Sequence, residues 1–304
     1  MNKMKIAHIS DLHINTELKK SNLDKLARLL RKLNKRKIDH LCITGDLSDT
    51  SNPDDLEKIR SLLFKYDFLD SERTSMVIGN HDIYGGLHKL EDFLVFPDRC
   101  RKTDYEAKVN FFNECFSEIN RTCFYISNEP EYTFGKIVGP LLITGWNSIA
   151  RYSGITNPFA SNGLISKHQM KELADICSNY KANIKYHIHL LHHHFNKIDA
   201  SNDLLARKLW LNIEKQTMKL RGKKKILKVL DKCGVDIVLH GHVHEMQEYE
   251  QHGIKFYNSA SLMCDEDSLN FYMLKLSRGL HKAKETVIYP KKITEPAILK
   301  LETA

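Results

Sequence analysis

Apolar runs of strand length recur along this chain, and five of them end in a short motif rich in carboxylate, histidine or asparagine. The motifs are Asp11-Leu12-His13, Gly45-Asp46-Leu47-Ser48-Asp49, Gly79-Asn80-His81-Asp82, His192-His193-His194 and Gly241-His242-Val243-His244. Each follows a strand-like segment, so its polar residues fall in a loop. The loops converge only if their strands lie in sheets and end at one edge, which limits the fold to sheet-based architectures. Oxygen and imidazole donors gathered that way make a site for two divalent metal ions, an arrangement suited to phosphoryl chemistry.

The strand-like runs are Ile6 to Ile9, Leu41 to Ile43, Met76 to Ile78, Leu141 to Ile143, Ile188 to Leu191, Val235 to Leu239 and Ile254 to Tyr257. Helical patterns lie between several of them. Leu23, Leu26, Ala27, Leu30 and Leu33 follow the spacing of one helix face, as do Leu56, Ile59, Leu62 and Leu63. The second pattern is preceded by Asn52 as N-cap, Pro53 at the first helical position, and Asp54 and Asp55 at the positive helix end. Ser166 caps a third pattern, and a fourth runs through Ile226, Leu227 and Leu230. Strands alternating with helices predict an α/β architecture. Lys255 to Tyr257, Asn270 to Leu276 and Thr286 to Tyr289 read as strands with little helix between them. They predict a second, more antiparallel sheet packed against the first, with helices outside. With no repeat, low-complexity tract or linker, residues 1–304 are expected to form one domain. Insertions are expected around 84–123 and 196–216, as excursions from the catalytic edge where pocket walls are commonly built.

Hydrophobic residues make up 42% of the chain and charged residues 28%, the balance of an ordinary globular protein. No run approaches the ~18 apolar residues of a membrane span. Met1-Asn2-Lys3-Met4-Lys5 leads into a strand rather than a signal-peptide core, so the cytoplasm is the expected location. The seven cysteines lack paired spacing, which argues against a disulfide framework or a cysteine zinc site. Cys42, inside an apolar strand, reads as a core residue. Net charge is +8, concentrated in Arg31-Lys32-Leu33-Asn34-Lys35-Arg36-Lys37 and Arg221-Gly222-Lys223-Lys224-Lys225. A solvated basic helix face is the commoner reading of such clusters, with nucleic acid as the alternative partner.

Within the motifs, alternation puts Asp11 and His13 on the same side of an extended segment. Asp46 follows a glycine turn, and its two oxygens can bridge two cations; Asp49 reads as a structural acid of the turn. The Asn80 carbonyl is a neutral ligand that limits negative charge. His81 would then point past the metals toward a bound phosphate, with Asp82 placed to hydrogen-bond its imidazole and favour the protonated form. One histidine of His192, His193 and His194 is expected as a ligand. His187, His189 and His240 read as structural residues. His242 and His244, two residues apart, can reach neighbouring metals.

Together these motifs resemble the calcineurin-like metallophosphoesterase superfamily, whose pattern runs D-x-H, G-D, G-N-H-[DE], H and G-H-x-H in that order. Weaker likenesses are Gly163-Leu164-Ile165-Ser166 ahead of Gln169, and Asn258-Ser259-Ala260-Ser261, similar to an N-x-G-S turn. The resemblance implies a four-layer α-β-β-α sandwich of two mixed sheets flanked by helices. It implies a first metal held by Asp11, His13, Asp46 and His244, and a second held by Asp46, Asn80, His193 and His242. His193 follows from setting Phe195 at the family's proline position; a one-residue shift would select His192. It further implies in-line attack by a hydroxide shared between two divalent ions (manganese or iron, with zinc as alternative), while His81, supported by Asp82, acts on the leaving oxygen. The G-N-H-D form looks most like the cyclic-nucleotide phosphodiesterase and lipid-precursor pyrophosphatase branches. A small phosphodiester or nucleotide-like substrate is therefore expected, with a nuclease as alternative. A protein phosphatase is disfavoured because the arginine-bearing motifs of those enzymes are absent. A metal-free protein-binding scaffold is disfavoured because the ligand positions are filled.

Overall fold

The computed structural model describes residues 4–18, 20–86, 92–180, 184–196, 218–261, 268–276 and 280–288. The strands are β1 (Met4–Ile9), β2 (His40–Thr44), β3 (Thr74–Val77), β4 (Tyr125–Ile126), β5 (Thr133–Val138), β6 (Leu141–Trp146), β7 (Gly163–Leu164), β8 (Tyr186–Leu190), β9 (Leu220–Arg221), β10 (Ile237–His240), β11 (Gln247–Gln251), β12 (Ile254–Asn258), β13 (Ser268–Leu276) and β14 (Leu280–Ile288). The helices are α1 (Lys20–Lys35), α2 (Pro53–Lys65), α3 (Asn80–Tyr84), α4 (Asp92–Lys102), α5 (Tyr105–Cys115), α6 (Lys167–Asn179) and α7 (Lys223–Lys232).

Local chemistry sets several of these boundaries. The Asn52 side chain accepts from the Asp54 amide, and Pro53 opens α2. Ser166 and Gln169 form a reciprocal capping box at the start of α6. Leu56, Ile59 and Leu63 of α2 are buried, as the helical spacing predicts.

One sheet has the order β14-β13-β1-β2-β3 and the other β11-β12-β10-β8-β6-β5-β4; β7 and β9 form a small separate pair. In the first sheet β1, β2 and β3 are parallel, and in the second β6, β8, β10 and β12 are parallel. Ile6, Ile9, Leu41 and Ile43 from one sheet share a core with Ile143, Ile188, Leu190, Ile237 and Leu239 from the other. Alternation sends the intervening Val238, with Leu191, to the opposite face, where they pack with Leu173 of α6 and Ile226 and Leu230 of α7. The result is the four-layer sandwich. Register aligns the C-terminal strand ends, with Ile9 opposite Ile43, Thr44 opposite Val77 and Leu239 opposite Leu190. The five motifs therefore leave the sheets on one edge.

The late strands depart from expectation. β12 joins the second sheet, whereas β13 pairs antiparallel with β1 and carries β14 to the edge of the first. They do not make a sheet of their own, because β1 leaves one edge open and β13 fills it. Of the two expected insertions, 84–123 holds α4, α5 and a 3-10 turn at Ser117–Asn120. Nearly all of 196–216 lies outside the described residues. Cys42 is buried in β2. Among the described residues no helix is long and apolar enough to cross a membrane.

Candidate metal centre

The first two loops run side by side: the Asp11 amide donates to Gly45 O and the His13 amide to Asp46 O, each at 3.0 Å. Asp11, His13, Asp46, His242 and His244 have φ values of 53°, 43°, 52°, 79° and 59°. That left-handed region is costly for residues with a Cβ and concentrates at functional sites. Two glycines let the loops close up. A Cβ on Gly79 would stand 2.1 Å from Asp46 Oδ1, and one on Gly241 would stand 2.2 Å from Asp11 Oδ2.

Three donor groups result among the described residues: one is His13, Asp49 and His81, and the other two share Asp46. Asp11, His13, Asp46 and His244 offer ligand atoms within 4.8 Å of one another, as do Asp46, His192 and His242. In the first, His13 Nε2 lies 3.0 Å from His244 Nε2, and His244 Nε2 lies 3.4 Å from Asp11 Oδ1. In the second, His192 Nε2 lies 3.0 Å from Asn80 Oδ1, 3.1 Å from His242 Nδ1 and 3.3 Å from Asp46 Oδ2. Asp46 Oδ1 accepts from the His81 amide at 2.8 Å, while the buried Oδ2 has no hydrogen-bond partner. A buried carboxylate oxygen left this way, facing imidazole nitrogens and an amide carbonyl, fits a cation between them.

Two side chains stand elsewhere than the sequence reading placed them. His193 does not face the cluster: its Nδ1 lies 2.8 Å from Ser148 Oγ and its Nε2 3.2 Å from Ser161 O. His192 takes the place. Its Nδ1 donates to Thr44 O at 2.7 Å, which turns Nε2 toward Asp46. Burial pulls this imidazole down, but the charge of Asp46 outweighs it and raises it to about 9. Asp82 does not support His81. It sits at the third position of α3, where its carboxylate accepts from the Gly79 amide at 2.9 Å and the Ser48 amide at 2.8 Å. Asp49 is the acid beside His81 instead. Its Oδ1 lies 3.5 Å from His81 Nδ1 and 3.3 Å from His13 Nδ1, and its backbone carbonyl lies 3.2 Å from His81 Nδ1.

The electrostatics follow from burial and these partners. Burial pulls the His81 imidazole down, but the charge of Asp46 and the hydrogen bonds of Asp49 overcome it and hold it at about 9. Burial also opposes ionisation of Asp49, yet His13 and His81 keep its carboxyl below the usual carboxylate range. Burial, then the charge of Asp46, pushes Asp82 up to about 7. Burial and the neighbouring histidines keep His242 and His193 well below the ordinary imidazole value, so both are neutral.

The motifs gave no warning of Ser148 and pointed to the turn of Ser261 only weakly. Ser148 Oγ lies 3.3 Å from the His192 amide and 3.4 Å from that of His193, pinning the histidine turn. Ser261 Oγ donates to Asp11 O at 2.8 Å. His187 and His189 both meet Thr144 Oγ1 at 2.8 Å, and His240 Nε2 lies 2.8 Å from Tyr249 OH, so all three are structural.

A family profile described as calcineurin-like phosphoesterase matches residues 4–246. The chain is similar to an uncharacterised metallophosphoesterase of Campylobacter jejuni, 37% identical over 91 residues, covering 30% of this chain and 23% of that protein. It thus spans 23% of the length of the curated relative it matches. Among solved structures it is similar to a dimetal phosphatase from Danio rerio, with a TM-score of 0.61 at 11% identity, covering 94% of this chain and 99% of that one. It is also similar to a purple acid phosphatase from yellow lupin (Lupinus luteus) seeds, with a TM-score of 0.54 at 12% identity, covering 95% of this chain and 53% of that one. At these identities the likeness is one of fold.

Proposed function

This chain belongs to the calcineurin-like phosphoesterase family, and from that premise we propose that it is a hydrolase cleaving a phosphodiester or pyrophosphate bond at a centre of two divalent ions. The observation that carries the reading is Asp46, shared by two of the donor clusters. Asp11, His13, Asp46 and His244 hold one ion; Asp46, Asn80, His192 and His242 hold the other. Mixed nitrogen and oxygen donors suit manganese or iron, with zinc as the alternative. When bound, the ions supply Lewis acidity toward phosphoryl oxygens and lower the pKa of water.

The chain's own groups do the rest. His81 is 21% exposed, and its ring lies 4.5 Å from that of His13. Asp49 engages its Nδ1, so Nε2 is the nitrogen that donates to a leaving oxygen. Asp82 holds the Gly79 and Ser48 backbone in place, and Ser148 fixes the turn that presents His192. The substrate is small or nucleotide-like, in keeping with the G-N-H-D motif, and the working compartment is the cytoplasm.

A nuclease is the second reading, and the placement of charge bears on it. Lys5 Nζ donates to Arg36 O, so the basic end of α1 lies at the start of β1, on the edge opposite the motifs. Lys223 Nζ donates to Phe195 O at 2.8 Å, beside the histidine turn, so the basic start of α7 lies on the catalytic edge. The test is hydrolysis of bis-p-nitrophenyl phosphate, p-nitrophenyl phosphate and single-stranded DNA with added Mn²⁺, at about 50 and 200 mM salt. Turnover of the small diester with weak salt dependence is expected. Steeply salt-sensitive DNA cleavage with negligible diester turnover would replace this reading with the nuclease.

A further inference from the structure

The segment after Gly79-Asn80-His81-Asp82 reaches back onto His81. Gly85 ends α3, its amide donating to His81 O at 3.0 Å. The Gly86 amide donates to Asp49 O at 2.8 Å, the same carbonyl that meets His81 Nδ1. A Cβ on Gly86 would stand 2.4 Å from His81 Cε1 and 2.7 Å from His81 Nδ1, so the backbone of Gly86 lies directly against the imidazole. From the other side Arg99 of α4 donates through Nη2 to Gly86 O at 2.7 Å. Its guanidinium lies over the ring of Phe96 at 4.8 Å, and Phe96 is buried in the core between the sheets and helices. Thus both polar groups of one peptide-linked glycine are used: its N–H on the carbonyl that orients His81, its C=O on a charged side chain anchored to the core.

We propose that Gly86 and Arg99 are positioning residues that clamp the His81 ring in one orientation, with Nδ1 toward Asp49 and Nε2 toward the leaving group. The inference rests on the role given to His81 above. It assigns the 84–123 segment a task beyond shaping a pocket wall: α4 acts on the chemistry through a single backbone carbonyl. Arg99 suits that task because its guanidinium keeps its charge and presents several donors in a fixed fork, one on the carbonyl while the plane stacks on Phe96. Gly86 suits it because any side chain would occupy the space of the ring. Its requirement is one of close approach, separate from the positive φ of Gly85.

The experiment compares Gly86→Ala, Arg99→Gln and Arg99→Lys with the wild-type full chain. Two diesters are used, bis-p-nitrophenyl phosphate with a good leaving group and diphenyl phosphate with a poor one. Metal content and the long-range proton–nitrogen spectrum of the His81 ring are recorded alongside. Gly86→Ala should cut kcat on diphenyl phosphate by roughly 10²-fold, the scale of an ångström-sized misplacement. The loss on the better leaving group should be smaller, with KM and metal content held. Arg99→Gln should lose less than Gly86→Ala, and Arg99→Lys, which keeps one donor for the carbonyl, should recover most of it. The His81 ring signals should shift in Gly86→Ala and Arg99→Gln. Unchanged ring signals, or equal losses on the two diesters, would overturn the clamp. So would equal losses in Arg99→Gln and Arg99→Lys. If the wild type turns over neither diester, the proposed reaction falls, while the ring spectra still decide whether the clamp exists.

Discussion

The two donor clusters that meet at Asp46 use similar atoms but differ in access to solvent. In the cluster of Asp11, His13 and His244, the His244 side chain is 40% exposed. In the cluster of Asn80, His192 and His242 no residue is more than 5% exposed. The enclosed cluster is also more fully braced, by Thr44 O on one face of His192 and by Ser148 under the turn that carries it. An ion in the open cluster can exchange ligands with water, whereas one in the enclosed cluster must wait for the protein to open. Similar donors therefore need not give equal occupancy. The difference predicts a centre with a retained half and an exchangeable half, divided at one carboxylate.

Four measurements would break or sharpen that division. Asp46→Asn belongs to both halves and should cost the most. Loss of both ions and a fall in kcat/KM of about 10³-fold or more are expected, since Lewis acidity is worth several kcal/mol. A variant that retains either ion at full occupancy would show that the halves do not depend on this residue. Next, His192→Ala should empty the enclosed half and lower activity by more than about 10²-fold, whereas His193→Ala should cost roughly tenfold, the scale for a supporting residue. The reverse order would return the ligand role to His193.

Chelation should then proceed in two phases, followed by metal analysis after rapid desalting. The fast phase should vanish in His244→Ala, which weakens the open half. A single phase in the wild type would erase the distinction between the halves. Ser148→Ala should have the smallest effect, weakening only the enclosed ion by about tenfold, because the turn remains but its pin is gone. Equal weakening of both ions, read by titration of chelated protein, would mean that Ser148 braces the whole edge.

What the sequence disclosed, and what it hid, divides along similar lines. Strand ends and helix caps are local, so the Ser166–Gln169 box and the apolar runs of β8 and β10 could be read directly. The order of motifs placed Asp11, His13, Asp46, Asn80, His242 and His244 at one edge, and the structure brings them together. Choosing among three consecutive histidines needed the direction of the turn, which Ser148 and Thr44 set from beyond the end of β6 and from the last residue of β2. Asp82 looked like the partner of His81 because it is adjacent, but position three of a short helix commits a carboxylate to the backbone. Asp49 resembled an ordinary turn residue, since nothing in the sequence shows that its loop folds back against α3. The pairing of β13 with β1 joins residues more than two hundred positions apart, beyond any local pattern. Arg99 was hidden for another reason: its partner is the backbone carbonyl of Gly86, which no side-chain motif marks.

The left-handed backbone at Asp11, His13, Asp46, His242 and His244 has a consequence for how this protein tolerates change. At roughly 1 kcal/mol or more apiece, these conformations consume a sizeable part of the net stability of a typical domain. Glycine at any of them would relieve the strain and delete a donor in the same step. Selection for a sturdier apo-protein and selection for the centre therefore pull in opposite directions at the same residues. Ions that bind only the folded state would offset the strain by mass action, so heat resistance in this chain should track metal supply more closely than core packing.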